Sequence, residues 1–192
     1  MLASASEVRR GILEAAGIPL ETMPAGIDER GIVNRSALRV GDDIATLLAR
    51  EKAVAVAAKF PDRLVLGADQ TLALENEVFS KPHDTAGARA QLRRLRGKTH
   101  ALNAAIALVR GGSLLFEERA TARLTVRNFS KAFLEAYLAA AGAAVTASVG
   151  AYQLEKLGIH LFEEIAGDHF TILGLPLLRL LDFLRREGFL AA

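Results

Sequence analysis

The chain has 192 residues, 51% of them hydrophobic and 24% charged, with a net charge of +2 and no cysteine. That length and composition suit an ordinary globular protein with a substantial core, and they exclude disulfides, thiolate metal sites and cysteine nucleophiles. The sequence pI of about 9.1 reflects a small Lys+Arg excess and is only weak evidence for nucleic-acid binding; the lack of Trp and of a basic run interleaved with aromatics argues against a nucleic-acid surface.

The elements read as mixed α/β. A short strand at Leu2-Ala3 leads into a helix from about Ser6 to Ala16, with Gly17 as its stop. Residues 42–60 form a second helix, capped by Asp42, striped by Ile44, Leu47 and Leu48, and ended by Pro61. Leu64 to Ala68 is an apolar strand with Asp69 at its tip. Leu72 to Leu74 and Val78-Phe79 flank a hairpin turn. Asp84 or Thr85 caps a third helix that runs to Arg96, with Gly97 behind it. Residues 101–109 and 114–127 are two long strands joined through Arg110 to Ser113. Ser130 opens a helix ending near Gly142, and Ile159 to Ile165 is a strand. Pro176 and Gly188 bracket a last helix with Leu177, Leu180, Leu181 and Leu184 on one face.

The hairpins rule out a purely parallel sheet. The expected fold is α/β: a mixed twisted sheet with flanking helices, in two lobes around a central cleft, residues 1–192 forming one domain. MLASASEVRR lacks the apolar core of a signal peptide, and Arg179 and Asp182 interrupt the Leu-rich tail, so no segment reads as a membrane span. The expected location is the cytoplasm.

Five short stretches carry chemistry. In ASASEVRR, Ser4 and Ser6 precede a helix whose first turns hold Arg9 and Arg10. Free amide N–H groups, hydroxyls and guanidiniums together make a phosphate site, although a capping box from Ser4 to Glu7 with two solvated arginines explains the same residues. In LAREKA, Lys52 shares a helical stripe with Leu48 and Val56, so its ammonium emerges beside apolar residues, either snorkelling or aimed into a groove. Lys81 in FSKP follows the hairpin, and is either returned by it toward the strand end bearing Asp69 or an ordinary solvated loop lysine. Asp28 and Glu29 in PAGIDER, and Glu155 in GAYQLEKLG, are hard oxygen donors suited to Mg²⁺ or Mn²⁺, and equally ordinary as surface charges. There is no Walker A, GxGxxG, HExxH or GxSxG pattern.

Taken in order, these pieces resemble the Maf family of nucleotide pyrophosphatases. LASASEVRR resembles its opening motif, IDE at 27–29 its acidic motif, LAREKA its lysine helix and LGADQT its catalytic strand. SKP, LRGKTH, GAYQLEKLG and ILGLPL resemble four later signatures, so the likeness runs from residue 2 to about 188. It implies a two-lobed fold related to inosine triphosphatases, often dimeric, that hydrolyses nucleoside triphosphates to monophosphate and pyrophosphate with a divalent metal. It also implies a link to septum formation. By the same resemblance Asp69 is the catalytic carboxylate, Glu29 and Asp69 hold the metal, and Ser4, Ser6, Arg9, Arg10, Lys52, Lys81 and Glu155 bind substrate. Glu7, Ser80 and Ala104 depart from the family pattern, which has Pro, Gly and Thr there. Gln70, Glu155 and LRREG at 184–188 resemble the branch acting on 7-methyl-GTP, toward which the expectation leans, whereas Ala68 and Gly150-Ala151-Tyr152 resemble the dTTP/UTP branch. A nucleotide-binding regulator of cell division without turnover is the alternative from another class.

Overall fold

A computed structural model describes residues 1–191. Five strands form one sheet: β1 (Val65–Leu74), β2 (Glu77–Phe79), β3 (Thr99–Arg110), β4 (Ser113–Val126) and β5 (Phe162–Ala166), in the order β2-β1-β3-β4-β5. All four pairings are antiparallel. The parallel component is Leu2, which bridges to Leu66 and to Thr22 and lays the N-terminal segment alongside the start of β1. The helices are α1 (Glu7–Ala15), α2 (Glu29–Ser36), α3 (Gly41–Ala57), α4 (Thr85–Leu95), α5 (Lys131–Ala141), α6 (His169–Ile172) and α7 (Leu177–Arg186), with three 3-10 turns between residues 142 and 161.

Local chemistry explains most boundaries. Ser6, Asp84 and Ser130 accept backbone N–H bonds at the starts of α1, α4 and α5. Arg110 and Ser113 pair across Gly111 and Gly112, both with positive φ, as a two-residue β3–β4 hairpin requires.

Four expectations need correction. Asp69 is not at a strand tip: β1 runs unbroken through Asp69, Gln70 and Thr71 to Leu74. The second helix begins at Gly41 with Val40 as its N-cap and ends at Ala57. Asp42 is therefore inside its first turn, where it pairs with Arg119. The strand placed at 159–165 starts at Phe162, because Leu157–Leu161 forms a 3-10 turn. A further helix, α2, follows Asp28, whose side chain caps it by accepting from Gly31 N.

Three apolar clusters meet at the sheet. One gathers Leu72, Leu74, Leu102 and Leu124 under α4, α5 and the 3-10 turns. A second gathers Leu66, Ala68, Ile106 and Leu108 under α1 and α7, where Leu177, Leu180, Phe183 and Leu184 fill one face. A third packs the small residues Ala45, Ala49 and Ala53 of α3 onto Val65, Ala105, Ala107 and Val109. Asp69, Thr71 and Asn103 are buried polar residues at the junction of these clusters. Side chains alternate along a strand, so Asp69 and Thr71 share the α3 face with Gly67, and Gln70 points to the other.

Candidate active site

Asp69 is reached from α3 because the helix can come close. A Cβ on Gly67 would lie 2.0 Å from Ala49 O and 2.7 Å from Ala53 N, so only glycine admits this approach. Lys52, one residue before Ala53, then places Nζ 2.6 Å from Asp69 Oδ1. The same ammonium lies 2.8 Å from Glu29 Oε1, at the first turn of α2. A lysine thus joins two carboxylates 40 residues apart in sequence. Burial pushes the Asp69 carboxyl above its usual range, with Lys52 and Arg9 pulling the other way. Its Oδ2 accepts no hydrogen bond from the described residues.

Arg9 lies close enough to act electrostatically on the same carboxylate. Its Nε donates to Gly174 O at 2.8 Å, and its Nη1 donates to Ala68 O at 3.0 Å and to Ser4 Oγ at 3.3 Å. A guanidinium has five N–H donors; three are used here, and the two on Nη2 have no acceptor among the described residues. The hydroxyls divide their roles. Ser6 caps α1 through Arg9 N at 3.3 Å, while Ser4 accepts from Ser6 N and from the guanidinium, so no Ser4-to-Glu7 capping box forms.

Gln70 serves the opposite face. Its Nε2 donates to Thr171 O at 3.0 Å and Ile172 O at 2.9 Å, pinning the turn that delivers Gly174 O to Arg9. A second polar chain anchors the α3 end of the site. Thr71 Oγ1 donates to Gly41 O at 2.8 Å, and Thr121 Oγ1 donates to Asn103 Oδ1 at 3.0 Å. Sequence motifs missed this chain; the alternation of Thr71, Asn103 and Thr121 on facing strands was its only signal.

The remaining predicted residues lie outside this cluster. Arg10 is exposed on α1 and pairs with Glu7, and more distantly with Glu14. Lys81 is exposed beyond β2. Phe79 pairs with Leu72 in an antiparallel register, so the chain runs back toward the level of Gln70 as it reaches Lys81. Glu155 is exposed and edges a groove of about 590 Å³ floored by Ile12, Phe170, Leu173 and Leu177. Val8 and Leu173, the chain neighbours of Arg9 and Gly174, line it too, so the groove borders the Arg9–Gly174 contact.

The segment before Glu155 is tightly built. Gly150 has φ +79°, and a Cβ there would lie 2.6 Å from Leu72 Cδ1. Tyr137 OH donates to Ala151 O at 3.1 Å, and Tyr152 OH lies 2.7 Å from His100 Nε2. His100 is 1% exposed and its Nδ1 has no partner among the described residues. An imidazolium needs acceptors at both nitrogens, and burial lowers the His100 pKa from 6.5 to about 4. A histidine depressed on folding stabilises fully above the unfolded value, and the contribution is lost as pH falls from 6.5 toward 4. At 1.36 kcal/mol per unit the loss reaches roughly 3 kcal/mol. The wild-type melting temperature is expected to drop across that window, and His100→Gln to flatten this limb; equal slopes in the two proteins would refute the assignment.

With this geometry in view, the Maf-like protein family model matches residues 1–187. The chain belongs to the Maf-like family. It is 56% identical over 191 residues to a nucleoside triphosphate pyrophosphatase of Rhodopseudomonas palustris strain BisB18, covering 100% of this chain and 95% of that one. It is 57% identical to the protein of that name from Bradyrhizobium diazoefficiens, with the same coverage. For that of Paramagnetospirillum magneticum it is 50%, covering 98% of each chain. Among solved structures, a HAM1 protein from Coxiella burnetii aligns with a TM-score of 0.44 at 13% identity, covering 68% of this Maf-like chain and 73% of that one, a likeness too distant to add to the chemistry. No helix among the described residues is long and apolar enough to cross a membrane.

Proposed function

We propose that this Maf-like protein hydrolyses nucleoside triphosphates to the monophosphate and pyrophosphate. The observation that carries the reading is the Asp69–Lys52–Glu29 cluster beside Arg9, on a chain more than half identical to proteins named for that activity. In the reaction, water attacks the α-phosphorus and the bond to the bridging oxygen breaks, so pyrophosphate leaves. Asp69 Oδ2, unclaimed among the described residues, is placed to take the proton of the attacking water. Arg9 Nη2 offers two N–H groups to the phosphates, and Lys52 and Lys81 add charge that offsets the developing negative charge. Ser4 and Ser6 hold Arg9 and the start of α1 in place.

The residues fit a divalent cation. Asp69 Oδ1 and Glu29 Oε1 converge on one point, now held by an ammonium, and both are hard oxygen donors. No group of three or more His, Asp or Glu side chains among the described residues could hold a metal. Two carboxylates completed by substrate phosphates is the usual Mg²⁺ arrangement. The ion would neutralise phosphate charge and polarise the scissile bond.

A 7-methyl-GTP-like substrate is the finer reading. Glu155 is exposed and unpaired among the described residues, on the groove that borders Arg9. A carboxylate only accepts hydrogen bonds, and the guanine edge offers N1–H and the 2-amino group. A glutamine has one donor and one acceptor, which suits O4 and N3–H of uracil or thymine. A bidentate base contact is worth about 1–3 kcal/mol of discrimination. Glu155→Gln is therefore expected to shift the kcat/KM ratio from guanine-type toward pyrimidine triphosphates by about ten- to a hundredfold. A uniform loss on every substrate would move Glu155 out of base recognition.

A pyrophosphate-release screen over normal and modified nucleoside triphosphates, with Mg²⁺, Mn²⁺ and Co²⁺, tests the whole reading. Release from at least one nucleotide is expected; tight binding without release would leave a nucleotide-binding regulator instead.

A further inference from the structure

The point where Asp69 Oδ1 and Glu29 Oε1 converge is occupied by the protein's own cation, Lys52 Nζ, at 2.6 and 2.8 Å. The two carboxylates come from separate elements, β1 and the first turn of α2. Asp69 is fixed in a sheet and nearly enclosed, with its side chain 10% exposed, whereas Glu29 is 49% exposed on a helix with no buried residue. Among the described residues, Lys52 is thus the only side chain that links them. Its own side chain is 12% exposed, on a flexible four-carbon stem with three rotatable donors.

A divalent ion bound by the same two oxygens would sit about 2.0–2.1 Å from each if it were Mg²⁺, in the space the ammonium fills. The two cations cannot share that space, and their like charges repel. We propose that Lys52 is a resident counter-ion that excludes the divalent cation: it holds Glu29 against Asp69 while the site lacks metal, and it leaves that position when the metal binds. Departure frees the ammonium for the phosphates of an arriving nucleotide. Metal affinity in the free protein is then set low by Lys52, and a triphosphate that accepts the displaced ammonium raises it, by the reciprocity that links two ligands of one protein. This rests on the reading of Glu29 and Asp69 as cation ligands given above, and it adds that the lysine between them competes for their oxygens.

The test is Mn²⁺ binding to the full chain without nucleotide, read as the loss of the free-ion paramagnetic resonance signal. Wild type is compared with Lys52→Met and Lys52→Gln. The glutamine variant retains an N–H donor for Asp69, so it carries the test if the methionine variant melts too low to titrate. Removing the competing charge is expected to tighten Mn²⁺ binding by at least about tenfold, the scale on which one nearby charge acts at such a site. Adding Asp69→Asn to Lys52→Gln is expected to abolish the gain. Binding no tighter than wild type in a folded Lys52 variant, or a gain that survives Asp69→Asn, overturns the proposal. Pyrophosphate release by the wild type, measured in parallel, separates the two readings. The gain without turnover on any nucleotide would defeat the proposed activity and keep the ion competition, and turnover without the gain would do the reverse.

Discussion

Asp69→Asn is expected to leave a folded protein whose kcat falls by at least about a hundredfold, the scale of removing a general base. Asparagine keeps the shape and can still accept from Lys52 through its amide oxygen, so the Asp69–Lys52 contact survives in weakened form. It loses the basicity needed at Oδ2 and the charge needed at Oδ1. Stability has the opposite sign. Burial raises the Asp69 pKa above its ordinary 3.8, so the ionised carboxylate is disfavoured in the folded state relative to the unfolded one. For a carboxyl raised on folding, wild-type stability declines as pH rises from 3.8 through the raised value. The variant lacks that decline, so at neutral pH it is expected to melt no lower than wild type. Kinetics on the best nucleotide from the screen and thermal melts across pH read both effects. Near-normal kcat in the variant would remove Asp69 from the mechanism, and a large fall in melting temperature would mean that the Lys52 pairing outweighs burial.

That trade of stability for reactivity also explains what the sequence conceals. The residue types at the site were legible: a carboxylate after an apolar run, a lysine on an apolar stripe, arginines at a helix start. The continuity of β1 was not. Asp69, Gln70 and Thr71 are three polar residues in a row, a pattern that reads as the end of a strand. Each has a partner in the fold: Lys52 for Asp69, the 171 and 172 carbonyls for Gln70, and Gly41 O for Thr71. Hydropathy registers polarity and not partners, so a buried and satisfied polar stretch looks like a turn. The α2 helix is hidden for a different reason. It buries no residue, contains Gly31 and Asn34, and stops at Ala37 with φ 57°, so it has no apolar stripe to detect. Yet its first residue brings Glu29 to Lys52. Ala104, where the family pattern has Thr, is fully buried between β1 and β4, opposite Gln70 and Ala120.

Arg9 and Arg10 are adjacent and look equivalent in sequence, but neighbouring positions on a helix point about 100° apart. Only Arg9 turns toward Gly174, Ala68 and Ser4, while Arg10 stays exposed with Glu7. Arg9→Lys isolates what that orientation is worth. The charge is kept, so the Coulombic support of Asp69 survives in part. The geometry is not, because an ammonium is a compact point charge and lacks the planar fork. It cannot meet two carbonyls and a hydroxyl on one side and still present an N–H pair on the other. A loss of about a hundredfold in kcat/KM is expected, comparable to removing one preorganised donor from a charge-stabilising site. The fold is affected less: leaving Gly174 O or Ala68 O without its partner costs about 1–3 kcal/mol. Arg10→Lys serves as the control and is expected to change kcat/KM by less than about threefold, since its recorded partners are exposed surface pairs of small energetic value. Equal losses in the two lysine variants would show that net charge at the start of α1 matters and that the fixed guanidinium does not.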